Sequence, residues 1–158
     1  MLFQKSLNNT DIVLAETLKN FVPDEVFDIH VHPYRAAHFP KGEWAFLDGI
    51  EQLGCEEHRN ALQRYMTARK IHGLYFGMPR KTADRDTMNA WVAKEVRQKA
   101  TELSRSLMVV SPGDDPAQIA EQLRSGLFCG FKVYHCYASR TDTMNASITE
   151  YAPEWMWE

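Results

Sequence analysis

His30 and His32 stand one residue apart in Val26-Phe27-Asp28-Ile29-His30-Val31-His32-Pro33. Neutral imidazole is a common ligand of divalent metals, so two imidazoles side by side at a strand end are half of a metal site. Residues 26–32 read as that strand. Side chains alternate along a strand, which sends Asp28, His30 and His32 to one face and Phe27, Ile29 and Val31 to the other. Asp28 is expected beneath the pair, bonded to a histidine N–H or a metal-bound water. The competing expectation is a strand-start carboxylate bonded to a backbone amide. Without context, two histidines on a strand face can equally be hydrogen-bonded or exposed.

Lys132 lies in Gly130-Phe131-Lys132-Val133-Tyr134-His135, inside a second apolar stretch. A buried lysine needs a partner or a modification. One expectation is an ammonium paired with Asp28 or another carboxylate. The other is a neutral amine that has reacted with carbon dioxide, giving a carbamate able to bridge two metal ions. Desolvation and nearby cations favour the neutral amine this reaction needs. Tyr134 shares the Lys132 face. His135 has the opposite parity, so a structural role competes there with substrate contact. In the stretch 33–49, Arg35 is placed to meet an anionic group, and Tyr34, Trp44 and Phe46 to shape a pocket or pack back on the rim. His38 in this stretch is expected at the surface, with reach to a substrate as the competing reading; His58 and His72 are expected at the surface.

These residues require a frame. Helical spacing predicts a first helix from Thr10 or Asp11 to about Phe21, with Leu14, Leu18 and Phe21 on one face. Residues 33–49 read as a long loop leaving the carboxyl end of strand one. Loops beyond about 12 residues are often lids. Helices are expected over about 50–70, 83–102 and 116–124, and from 148 onward. Pro116 suits a first helical position, and Gly126 suits a stop. Trp155 and Trp157 read as anchors for a partner surface. Further strands are expected at 73–79, 106–111 and 128–137. One helix followed by four β-α units with near-continuous apolar strands predicts an α/β fold with a helix-covered parallel sheet. Two architectures fit: a small doubly wound parallel sheet, or the first four units of a (β/α)8 TIM-like barrel, which needs about 250 residues.

The 158 residues suffice for one domain, 1–158, with its own core, and the net charge of −3 gives no argument for nucleic acid or an anionic membrane as partner, so neither is expected. No apolar run is long enough to span a bilayer, and the N-terminus lacks a secretion signal. Cys55, Cys129 and Cys136 are odd in number and form no C-x-x-C pair. Reduced thiols and a cytoplasmic location are expected.

Asp28-Ile29-His30-Val31-His32-Pro33 resembles the strand-one signature of the amidohydrolase superfamily, of the amidohydrolase-related type. The resemblance implies a metal-dependent (β/α)8 barrel acting on a small-molecule substrate, with His30 and His32 as ligands of one or two divalent ions, zinc being the metal expected. Several branches place a carboxylated lysine at the end of strand four, where Lys132 stands. Phe131-Lys132-Val133-Tyr134 is also similar to a stretch of dihydroorotase. The implied reaction is hydrolysis of an amide, ester or lactone by metal-activated water. A mononuclear branch decarboxylates its substrates instead. The family's later ligands, two histidines and a general-base aspartate, have no counterpart before Glu158. The expectation is therefore an N-terminal half-barrel, inactive alone, whose partner is a missing C-terminal half or another copy. A non-catalytic α/β interaction module is the alternative.

Overall fold

A computed structural model describes residues 6–157. Helix α1 (Asn9–Phe21) starts at a capping box, in which Asn8 and Asp11 each accept the other's backbone N–H. Strand β1 (Glu25–Val31) follows. The chain then makes an excursion closed by a short antiparallel ladder between β2 (Tyr34–Arg35) and β3 (Gln52–Leu53). Next come α2 (Cys55–Gln63), β4 (Lys70–Tyr75) and α3 (Arg85–Lys99). Strands β5 (Arg105–Ser106) and β6 (Met108–Val109) are two halves of one run, interrupted at Leu107. Helix α4 (Pro116–Arg124), strand β7 (Phe131–Lys132) and helix α5 (Ile148–Tyr151) complete the order.

The main strands are parallel: β1 pairs with β4, β4 with β5, and β6 with β7. Leu107 N–H donates to Tyr75 O at 2.9 Å, and Val110 N–H to Lys132 O at 3.1 Å. The third run thus leans first on β4 and then on β7, and strand neighbours follow chain order. The break at Leu107 is secured from the helix layer. Asn89 of α3 donates to Val109 O and accepts from Val109 N–H, both at 2.9 Å. Helices α2 and α3 cover one face through Cys55, Trp91 and Val92, packed with Val31 and Tyr75. The mixed α/β class with a parallel sheet agrees with the sequence. Among the described residues no helix is long and apolar enough to cross a membrane.

Several boundaries differ. The expected 50–70 helix begins only at Cys55, because residues 52–53 pair with β2 and Gly54 caps the helix, its N–H bonded to Glu57 at 2.8 Å. The second strand ends at Tyr75 rather than Pro79; the carbonyls of Phe76 and Gly77 turn to His32 instead of a neighbouring strand. The fourth strand shrinks to Phe131–Lys132, with a 3-10 turn at His135–Tyr137. The last helix has only four residues, after which Pro153 precedes a 3-10 turn. Trp155 packs near Phe131, ring centroids 6.3 Å apart, whereas Trp157 is exposed, its indole N–H donating to Ala152 O at 3.0 Å. Helix α1 buries no residue; its apolar stripe stays in contact with solvent. Arg69 holds its end by bonds to Lys19 O and Asp24.

Candidate functional site

Strand β1 does not keep its alternation. Asp28 lies opposite Gly73 and Val31 opposite Tyr75, so Ile29 and His30 together face the single residue Leu74. This is a β-bulge, which re-aims side chains. Asp28 and Val31, three residues apart, both meet the helix layer. Val31 packs with Cys55 and Trp91, and the Asp28 carboxylate reaches His58 of α2. The expectation that Asp28 lies under the two imidazoles is corrected: its Oδ1 accepts the His30 backbone N–H at 3.0 Å, and its Oδ2 the His58 Nε2–H at 3.1 Å. The apolar-face expectation changes with it, since Phe27 and Ile29 are left 44% and 73% exposed on the opposite face.

His30 and His32 still converge. Their Nε2 atoms are 3.1 Å apart. The His32 Nδ1–H donates to Phe76 O at 3.2 Å and Gly77 O at 3.1 Å, which leaves Nε2 as the ring's acceptor, facing His30 Nε2. Burial lowers the His32 pKa, with His30 and Lys132 adding to the effect and the two carbonyls opposing it. His32 is therefore neutral at pH 7. Two nitrogens each about 2.0–2.1 Å from one tetrahedral zinc ion lie about 3.3 Å apart, close to the observed 3.1 Å, so the pair fits two positions of a divalent-metal site. The backbone carbonyls supply the outer bond that fixes a ligating imidazole's tautomer. Among the described residues no three His, Cys, Asp or Glu side chains form a metal-holding group.

Lys132 and Tyr134 share the platform on which His32 rests. The His32 and Phe76 ring centroids are 4.8 Å apart, and Lys132 Nζ lies 5.3 Å from the Phe76 ring and 5.6 Å from the Tyr134 ring. Tyr134 Oη is 3.3 Å from His32 Nε2. Burial pushes the Tyr134 hydroxyl up, so it stays protonated and can donate. The expected pairing of Lys132 with Asp28 is corrected: that carboxylate belongs to His58, and the Lys132 ammonium faces aromatic rings. His135 turns its Nδ1 to Thr143 O at 3.0 Å. Arg35 sits exposed on β2. Tyr34 and Trp44 line a cavity of ≈ 300 Å³ inside the excursion itself.

Three histidines expected at the surface are not there. His58 bridges Asp28 and the Tyr75 hydroxyl, its Nδ1 2.9 Å from Oη. The spacing Cys55, His58, Leu62 places it on the buried side of α2, a signal legible once the helix start is known. His72 is buried on β4, with Nδ1 2.7 Å from Thr101 Oγ1. His38 is 2% exposed beside Trp91, with both ring nitrogens unpartnered. No protein-family model, curated protein or solved structure matches this chain.

Proposed function

We propose that this chain supplies the first four β/α units of an amidohydrolase-type (β/α)8 barrel, part of a metal-dependent hydrolase. The observation that carries the proposal is the convergence of His30 and His32 Nε2 at 3.1 Å, with the His32 tautomer fixed by two backbone carbonyls. Strand neighbours in chain order support it, since a doubly wound sheet reverses that order at a switch point. The pair lies at the carboxyl end of β1, the end at which such barrels place their chemistry.

A divalent ion, zinc by its preference for imidazole, would be held by His30 and His32 and would supply Lewis acidity and an acidified water. His32 contributes a neutral nitrogen held in one orientation. Tyr134 offers a protonated hydroxyl beside that nitrogen, suited to donate to a substrate oxygen. Lys132 places a cation, or after reaction with carbon dioxide a carbamate, on the shared aromatic platform. Among the described residues no third His, Cys, Asp or Glu joins the pair, so the chain's share of such a site is these two imidazoles with Tyr134 and Lys132 beside them. The substrate class is a small amide, ester or lactone.

Imidazole 15N shifts during a zinc titration test the reading. His30 and His32 Nε2 signals should move together and saturate with one stoichiometry. Titration that perturbs His135 or His38 while leaving this pair unmoved contradicts it, and favours a non-catalytic module.

A further inference from the structure

Asp28, His58 and Tyr75 form a closed bracket around the β1 bulge. A bulge frees a backbone N–H from its ladder. Here that N–H belongs to His30, and Asp28 Oδ1 takes it at 3.0 Å. The other carboxylate oxygen is tied to His58 Nε2 at 3.1 Å, and His58 Nδ1 to Tyr75 Oη at 2.9 Å. Tyr75 is the β4 residue opposite Val31, where regular pairing resumes after the bulge. The bracket therefore leaves β1 before the bulge, passes through α2, and returns to β4 beside the residue after it.

Hydrogen-bond directions agree around this path. Burial raises the Tyr75 hydroxyl, which stays protonated and donates to His58 Nδ1. The His58 Nε2–H then donates to Asp28. Gly73, opposite Asp28, makes the room: a Cβ there would lie 2.7 Å from the Tyr75 ring. Without the bracket nothing described holds Asp28 toward α2, and the bulged segment carrying His30 loses the acceptor of its free N–H.

We propose that His58 is a positioning residue for the His30/His32 pair, acting through Asp28 on the bulge that brings the two Nε2 atoms together. The proposal rests on the reading of that pair as metal ligands. Outer partners of ligating residues typically contribute about 10–100-fold in metal affinity. Their usual place is on the ligand's own imidazole; here the bond is to the ligand's backbone, one step further out.

The test is zinc affinity of the full chain by chelator competition, with the cobalt(II) absorption spectrum as a second readout. Wild type is compared with His58→Leu, His58→Gln, Asp28→Asn and the double variant His30→Ala/His32→Ala. Circular dichroism establishes that each is folded. His58→Leu should weaken zinc binding by about tenfold or more and alter the cobalt spectrum. His58→Gln, whose amide N–H can replace Nε2–H, should restore both toward wild type. Asp28→Asn, which removes the anionic acceptor while keeping the side chain's size, serves where His58→Leu fails to fold, and should weaken binding likewise. Wild-type affinity and spectrum in folded His58→Leu or Asp28→Asn, with binding lost in the double variant, would overturn the positioning role alone. Equal binding by wild type and the double variant would overturn the metal reading and the positioning role with it.

Discussion

His38 shows how a residue of ordinary surface chemistry becomes a structural liability when buried. Its ring is enclosed beside Trp91 and Phe39 with no partner on either nitrogen. Burial lowers its pKa from 6.5; Arg35 lowers it further and Asp84 opposes. The unfolded chain therefore takes up a proton below about 6.5 while the folded chain resists it. Stability is complete above that pH and falls as pH drops toward the lowered folded value. Melting temperature should fall between pH 7.5 and 5.5, and His38→Leu should flatten part of that fall. His32 and His58, lowered by burial as well, account for the remainder. An unchanged pH profile in His38→Leu contradicts this assignment. The residue scale was only partly legible in the sequence. The types at 30 and 32 pointed to imidazole chemistry, but burial of His38, His58 and His72 depends on contacts from Trp91, Tyr75 and Thr101, far away in the chain.

At the scale of elements, two residues set the sheet. Gly73→Ala drives a Cβ against the buried Tyr75 ring. It should cost about 1–3 kcal/mol, the usual penalty for overpacking, read as a lower denaturant midpoint. Asn89→Ala leaves the Val109 N–H and C=O without their side-chain partners. It should cost about 1–3 kcal/mol as well, and loosen the junction between β6 and α3. A midpoint unchanged in either variant would show that the sheet does not depend on that contact. The helix at 116–124 was legible because its signals are local: Asp115 caps it, Pro116 opens it and Gly126, at φ +74°, follows its end. The bulge in β1 was not legible. Nothing in the spacing of Asp28, His30 and His32 reveals that Ile29 and His30 share one partner; that register is set by Gly73 and Tyr75 on the next strand.

For the whole molecule, the sequence indicated a parallel α/β arrangement because each strand was apolar and each was followed by helical spacing. Chain-order pairing could not be read there, since it depends on hydrogen bonds such as Leu107 to Tyr75 and Val110 to Lys132. The helix-covered side packs, while Phe27 and Ile29 are exposed opposite it. Two imidazoles alone hold a metal weakly, and among the described residues no third His, Cys, Asp or Glu joins them. The chain alone should show no zinc-dependent hydrolysis of amide, ester or lactone substrates; robust turnover would contradict an incomplete site. Metal content after equilibrium dialysis against zinc, compared between wild type and folded His30→Ala/His32→Ala, tests the central claim most directly. Wild type should retain zinc that the double variant loses, and equal metal content in both would contradict the site.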